Sequence, residues 1–320
     1  MNKGVKLYVV VPCYNEEEVL NETAKRLTAE FDRLEKTGLI SKSSRIVLVD
    51  DGSRDKTWSL IEKLAKEEVF VGLKLSRNRG HQNALLAGLM YAKDHAEVVV
   101  SMDADLQDDI GAVERMVQKY VNDDVEIVYG VRSSRKKDTF FKRTTAIGFY
   151  KIMKLLGVDV IYNHADYRLM SRRALEELEK FDEVNLFLRG VVPLIGLKTS
   201  TVEYERSERF AGESKYPLKK MLSFAAEGIT SFSVKPLKLI TAMGVVFAAI
   251  GVAVTIYALV MWLTGQTVEG WTFIVISLWL IGGVQMVGLG VVGTYIGKIY
   301  GEVKGRPRYI VEKIVGGKAR

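Results

Sequence analysis

The sequence holds a single cysteine, Cys13, in 320 residues. One thiol forms no internal disulfide and builds no cysteine metal cluster; beside an apolar run it reads as a packing residue in a reduced compartment. The start MNKGVKLYVVVP is basic but has only a brief apolar run, followed at once by Asn15 and three glutamates. No signal peptide is read there, and the first domain is expected to stay in the cytoplasm. Internal repeats and low-complexity tracts are missing. Excess positive charge is missing from most of the chain as well: of the net +7, the segment 298–320, with seven Lys/Arg and two Glu, contributes +5 and leaves +2 for everything before it. That speaks against a nucleic-acid partner and for a basic segment tied to something local.

Charge is missing altogether from two long stretches, 25 residues from Leu239 to Leu263 and 27 from Trp271 to Gly297. As helices each reaches roughly 37 Å or more, against a hydrocarbon core of about 30 Å. Two spans are therefore expected. The connector TGQTVEGW carries no Lys or Arg, whereas Lys235 and Lys238 precede the first run and Lys298, Lys304, Arg306 and Arg308 follow the second. The positive-inside rule then places both flanks in the cytoplasm, with Trp262 and Trp271 as interfacial anchors. Gly293 and Gly297, with Gly282, Gly283, Gly288 and Gly290, give the second run a smooth face for helix packing. The preceding PLKKMLSFAAEGITSFSVKP is amphipathic, and reads either as a helix in the headgroup layer or as one docked on the globular part.

What is present before residue 130 is an alternation of β-rich runs, KLYVVVPCY, RIVLVDD, FVGLKLS, EVVVSMDAD and VEIVYG, with longer segments of helical period. This rhythm predicts an α/β fold with a mostly parallel, doubly wound sheet. In such sheets ligands gather beyond the carboxyl ends of the strands, which is where PCYNEEE, DDGSRDKT, SRNRGHQNALLAG and DADLQDD fall.

The stretch VVSMDADLQDD, 99–109, runs apolar residues into four carboxylates within seven positions. If the strand continues, Asp103 and Asp105 project together while Ala104 turns away. Two hard carboxylates so placed favour Mg²⁺ or Mn²⁺, which accept one or two of them and fill their remaining sites with water and phosphate; a solvated loop is the ordinary alternative. Asp50 and Asp51 end the second strand, where a carboxylate can receive a nucleobase N–H or a ribose hydroxyl. Asp51 or Ser53 can equally cap the helix beginning near Lys56, and Asn15 and Glu16 the helix after the first strand. His81 reads as a cap or surface residue with no metal role.

In this order and spacing, VPCYNEEE, VDDGSRDKT, SRNRGHQNALLAGL and MDADLQD resemble the family 2 glycosyltransferases with the GT-A fold. The later NHADYRLMSR, FLRG and RFAGESKY, followed by two apolar runs, are similar to the polyprenyl-phosphate branch of that family, which includes bactoprenol glucosyltransferase and is related to dolichyl-phosphate mannose synthase. The resemblance covers essentially the whole chain. It implies a GT-A Rossmann-like domain over 1–216, a juxtamembrane amphipathic segment over 217–237, spans over 238–264 and 271–297, and a basic cytoplasmic tail over 298–320. It also implies that Pro12, Tyr14, Glu16 and Asp51 contact the nucleotide base and ribose, and that Asp103, Asp105 and Gln107 hold the metal and the donor diphosphate. Arg132 and a basic residue near Arg143 would hold the acceptor phosphate. Two departures stand out: prolines common after DLQD are replaced by Asp109 and Ile110, and a hydroxyl residue expected after the second phosphate-binding arginine is not evident.

The implied reaction is inverting, metal-dependent transfer of a hexose from a nucleotide sugar to undecaprenyl phosphate at the cytoplasmic face of a bacterial plasma membrane. UDP-glucose is the favoured donor, ahead of UDP-N-acetylglucosamine, UDP-galactose and GDP-mannose. Asp105, Asp166 and Arg132 are the expected catalytic residues, with Asp166 paired to a cation such as Arg168 so that it does not repel the acceptor. Arg206, Arg209, Ser214 and Lys215 form a basic loop, with Gly212 as pivot, that closes over phosphate or else simply lies solvated near headgroups. A homo-oligomer, with a tetramer as one candidate, is expected from the glycine-rich run and the resemblance. Of the rival readings, a processive polysaccharide synthase would carry Q-x-x-R-W, which is absent. A silent membrane scaffold would have no use for the acidic cluster.

Overall fold

The computed structural model describes residues 4–132, 164–184, 187–205, 233–265 and 270–317. The chain divides into two compact units, one of residues 1–150, 160–216 and 306–320, the other of residues 151–159 and 217–305.

The first unit is built on an eight-stranded sheet in the order β7-β5-β6-β4-β1-β2-β3-β8. Strands β1 (Leu7–Cys13), β2 (Arg45–Asp50), β3 (Phe70–Leu75) and β4 (Val98–Ser101) are mutually parallel. Their near-continuous apolar runs LYVVVPC, RIVLVD and VVVS are what a parallel strand covered on both faces requires. Covering them are α1 (Leu20–Lys36), α2 (Thr57–Leu64), α3 (His81–Lys93) and α4 (Ala112–Asp123). Helix α1 buries Leu20, Ala24, Leu27, Phe31 and Leu34, a stripe at helical spacing. Helix α3 comes unusually near the sheet at Gly88, where an added Cβ would lie 2.3 Å from Val10 Cγ1 and 2.8 Å from Val49 Cγ2. The parallel core is thus the doubly wound fold expected. From β3 the chain crosses back past β1 to form β4, so strand order reverses between β1 and β4, the position at which such sheets open a ligand crevice.

The other half of the sheet is mixed. Strand β6 (His164–Ser171) runs antiparallel to both β4 and β5 (Ile127–Arg132), while β7 (Thr199–Tyr204) is parallel to β5. Short helices α5 (Arg172–Glu179) and α6 (Leu188–Leu194) follow β6. Ser171 caps α5 by accepting the Ala174 N–H at 3.0 Å.

Two features differ from expectation. The acidic motif does not prolong its strand: β4 ends at Ser101, and Asp103 to Leu106 form a turn in which Leu106 adopts φ 58°. And the tail is not merely a basic extension, since Val311–Gly316 forms β8, antiparallel to β3 at the sheet edge. Alternation there is weak, but Lys313 pairs with Glu62 at 2.8 Å, Glu312 with Lys74 at 3.2 Å, and Arg308 donates to the Phe181 carbonyl at 2.7 Å.

The second unit contains α7 (Lys235–Leu263) and α8 (Trp271–Val303), of 29 and 33 residues, roughly 44 and 50 Å long. Within α7, Lys235–Val254 has a mean hydropathy of 2.2 and is long and apolar enough to cross a membrane, the one such segment among the described residues. The second apolar run, 271–297, lies within α8. Residues 217–232 of the amphipathic segment lie outside the described residues.

Candidate active site

The loops after β1, β2 and β3 are tied to one another mainly through side chains that receive backbone N–H groups. Asn15, at φ 55°, takes the left-handed conformation that asparagine tolerates; its N–H donates to Ser53 Oγ at 3.0 Å and its Oδ1 accepts from Arg54 N–H at 2.9 Å. The Glu16 N–H donates to Thr57 Oγ1 at 2.9 Å, the Glu17 N–H to Asp55 Oδ2 at 3.2 Å, and Glu17 Oε2 receives the Lys56 N–H at 3.1 Å. Helix capping, the alternative reading of Asn15, Asp51 and Ser53, is not what the hydrogen bonds of these side chains do. Helix α1 has no side-chain cap at Val19, and at the start of α2 it is Asp55, not Asp51 or Ser53, that accepts the Thr57 N–H, at 3.0 Å.

Asp51 instead reaches the third loop. Its two carboxylate oxygens accept the N–H groups of Arg79 and Gly80 at 2.7 and 2.9 Å. Gly52, at φ 65°, permits the approach, since a Cβ there would lie 2.6 Å from Asn78 N. Burial raises the Asp51 carboxyl pKa against these two amides, which lower it. Asp50 is fully buried, accepts the Ser53 N–H at 3.2 Å through Oδ1, and leaves Oδ2 without a partner. Of the expected donor contacts, Pro12 is buried at the end of β1, Glu16 is half-buried, and Tyr14 stands 42% exposed just beyond the strand.

Across the strand reversal lies the acidic turn. Ala104 and Leu106 are buried while Asp103, Asp105 and Gln107 are half-exposed, so the three polar residues share the open side even though the strand has ended. A leucine at positive φ costs about 1 kcal/mol or more, and its burial is what holds the turn in place. Gln107 N–H donates to Asp105 Oδ1 at 3.2 Å. Displacement of water raises the Asp103 carboxyl pKa; the charges of Asp166 and Asp105 raise it further and His81 opposes them.

Asp166 sits on β6 beside this turn. Arg168, two residues along the same face of the strand and 1% exposed, donates Nη2 to Asp166 Oδ1 at 2.6 Å. Arg189, on α6, brackets Oδ2 with Nε at 3.2 Å and Nη2 at 2.9 Å. Burial by itself would raise the Asp166 carboxyl; Arg189, Arg168 and His81 outweigh it and hold the group far below the usual carboxylate range. The pairing with Arg168 matches expectation. Arg189, in the FLRG motif, is a second partner that the sequence does not indicate, because it lies 23 residues from Asp166.

A third group surrounds Asp108, which is buried with its pKa pushed up to about 6 by burial and by the Asp103 charge. It accepts the Tyr204 hydroxyl at 2.6 Å, and that hydroxyl lies 3.4 Å from Arg132 Nε. Arg132 is thus placed beside Asp108 and Tyr204 at the end of β5, not against Asp166. Neither Asp108 nor Tyr204 was singled out by sequence; the acidic run was the available signal for the first, and nothing local marks the second. Arg143, Arg206, Arg209, Ser214 and Lys215 lie outside the described residues.

The charge balance bears on what the turn can hold. Asp166 is neutralised by two arginines, whereas Asp103 and Asp105 form a hard oxygen set in which negative charge is crowded. Such a set suits Mg²⁺ or Mn²⁺. Among the described residues no three His, Cys, Asp or Glu converge on one point, so an ion here would complete its shell from water and a ligand.

The model of the family described as "Glycosyl transferase family 2" matches residues 8–179. The uncharacterized glycosyltransferase YkoT of Bacillus subtilis is 54% identical over 308 residues, covering 96% of this chain and 91% of its own length. A prophage bactoprenol glucosyl transferase homolog of Escherichia coli is 39% identical over 318 residues, covering 97% and 99%. Among solved structures, mannosyl-3-phosphoglycerate synthase from Rubrobacter xylanophilus superposes with a TM-score of 0.48 at 17% identity, over 70% of this chain and 71% of that one. With the family match spanning more than half its length and relatives of this similarity along nearly all of it, the chain belongs to glycosyl transferase family 2 and is a glycosyltransferase.

Proposed function

We propose that the protein transfers a hexose, with glucose from UDP-glucose as the favoured donor, to undecaprenyl phosphate with inversion at the anomeric carbon. The observation that carries this reading is the juxtaposition, on the β4 and β6 side of the strand reversal, of a charge-crowded carboxylate turn at Asp103 and Asp105 with an arginine-clamped carboxylate at Asp166. Relatives named bactoprenol glucosyl transferase, aligned over nearly the whole chain, support the lipid acceptor.

In this reading Asp103, Asp105 and Gln107 hold Mg²⁺ or Mn²⁺, which when bound stabilises charge on the departing diphosphate. Tyr14 and Glu16 line the nucleotide side, and Pro12 and Asp51 shape it, Asp51 chiefly through the loop it fastens. The bond between the anomeric carbon and the diphosphate oxygen breaks as an acceptor phosphate oxygen bonds to the opposite face of that carbon. A phosphate monoester, with a second pKa of about 6, is already largely ionised at neutral pH. Asp166, held as a strongly stabilised anion, is a poor proton acceptor. It therefore positions: its charge fixes Arg189, whose side chain remains 33% exposed and can draw the acceptor phosphate. Arg132 acts on the same phosphate from the β5 side, with Arg143 and the basic loop of Arg206, Arg209, Ser214 and Lys215 completing the acceptor surface.

We further propose two spans, α7 and the apolar part of α8, with the catalytic domain and both termini on the cytoplasmic side of a bacterial plasma membrane, and assembly as a homo-oligomer. Exposed Leu239, Val245 and Val252 on α7 support membrane contact, because apolar surface of this extent is rare in water. The test is incubation of purified full-length protein with undecaprenyl phosphate, Mg²⁺ or Mn²⁺, and UDP-glucose, UDP-N-acetylglucosamine, UDP-galactose or GDP-mannose. A lipid-linked hexose that disappears with chelator is expected. No lipid product with any of the four donors overturns the reading.

A further inference from the structure

His81, the first residue of α3, takes no part in the roles above, yet it stands between the two halves of the site. Its Nε2 lies 3.5 Å from Asp103 Oδ1 and 3.9 Å from Asp166 Oδ2. Both distances exceed the 2.7–3.2 Å of an ordinary N–H···O bond, and the side chain is 44% exposed. The backbone that carries it is nevertheless tied on both sides. Immediately before it, the N–H groups of Arg79 and Gly80 are held by the Asp51 carboxylate. Immediately after it, Gln82 Oε1 accepts the Leu188 N–H at 2.8 Å, next to Arg189. The residues on either side of His81 are thus held, and its imidazole faces both the acidic turn and the clamped carboxylate.

This inference rests on the proposed transfer reaction. There the diphosphate is held at the acidic turn and the acceptor phosphate is drawn toward Arg189. A hexose in transit is bonded to the first and attacked by the second, so its ring has to cross the gap in which His81 stands. We propose that His81 hydrogen-bonds a hydroxyl of the transferred hexose, making it a sugar-contacting residue that neither the nucleotide nor the metal requires. An imidazole ring nitrogen can form a hydrogen bond with a sugar hydroxyl, which both donates and accepts.

The test needs no lipid acceptor. Calorimetric titration of the full-length protein with UDP-glucose against UDP, and with GDP-mannose against GDP, each with Mn²⁺, is compared for the wild type, His81→Ala and His81→Gln. Loss of one such bond predicts that His81→Ala weakens the preferred nucleotide sugar about 5- to 10-fold. The bare diphosphate and Mn²⁺ should bind as before, and His81→Gln should recover part of the loss. Equal weakening of sugar nucleotide and bare diphosphate would overturn the proposal and make His81 a support of the loop. Weakened Mn²⁺ binding would overturn it in favour of a metal ligand, and unchanged affinities throughout would remove His81 from the site. Failure of undecaprenyl phosphate as acceptor would sink the parent reading while leaving these titrations to decide His81; a wild type that binds none of the four nucleotides sinks both.

Discussion

On the β2 and β3 side of β1, polar side chains serve the backbone; on the β4 and β6 side, they serve one another. Asn15, Glu17, Asp51 and Asp55 accept main-chain N–H groups and thereby fasten three loops into one wall. Asp166 and Asp108 instead meet other side chains: Arg168 on the same strand as Asp166, Arg189 from α6, and Tyr204 from β7. The first arrangement builds a surface of fixed shape. The second gathers charge, with Asp103 beside Asp105 and Asp166.

If this contrast is right, breaking a side-chain pair should cost more than weakening a backbone tie. Arg168→Met leaves the buried Asp166 carboxylate with Arg189 as its remaining arginine. Loss of a partner from a buried pair costs about 3 kcal/mol, so the melting temperature of the detergent-solubilised protein should fall by roughly 6 to 12 °C. Asp166→Asn sharpens the point through pH. The folded carboxyl titrates below its unfolded value of about 3.9, so its stabilisation is fully present above that value and is lost as pH falls. Wild-type melting temperature should therefore drop on acidification from about pH 5 to pH 3, and Asp166→Asn should show a flatter acid limb from a lower starting point. Turnover by Asp166→Asn close to that of wild type would remove Asp166 from the reaction. The smallest effect is expected on the other side: Asp51→Asn keeps one acceptor oxygen and should cost about 1 kcal/mol, seen as a higher KM for the donor with kcat little changed. A larger loss of stability from Asp51→Asn than from Arg168→Met would reverse the comparison.

Much of the parallel half was legible because its signals are local. The apolar runs that became β1 to β5 are short and β-rich, with turn-forming polar residues between them. The pairing of Asp166 with Arg168 was legible for the same reason, since residues two apart on a strand share a face. The mixed half was not. NHADYRLMSR was recognisable as a motif before it could be placed as β6, and TSTVEY carries so little apolar pattern that β7 passed unread. The tail concealed β8 because VEKIVG alternates weakly, with Lys313 on the face of Val311 and Val315, and because its pairing partner β3 lies about 240 positions earlier. At the acidic motif, sequence supplied the right alternation and the wrong backbone: burial of Ala104 and Leu106 keeps Asp103, Asp105 and Gln107 on one side, through a turn.

What the sequence determined by itself is the family, the α/β rhythm and the side of the sheet on which the chemistry gathers, because each follows from residue types at short spacing. What only the tertiary structure decided is how the charges are shared. Arg189 reaches Asp166, Tyr204 reaches Asp108, and His81 comes to face two carboxylates because β6 inserts antiparallel between β4 and β5. Electrostatic interaction depends on distance through space, and no local pattern encodes which distant residues a strand insertion will bring together.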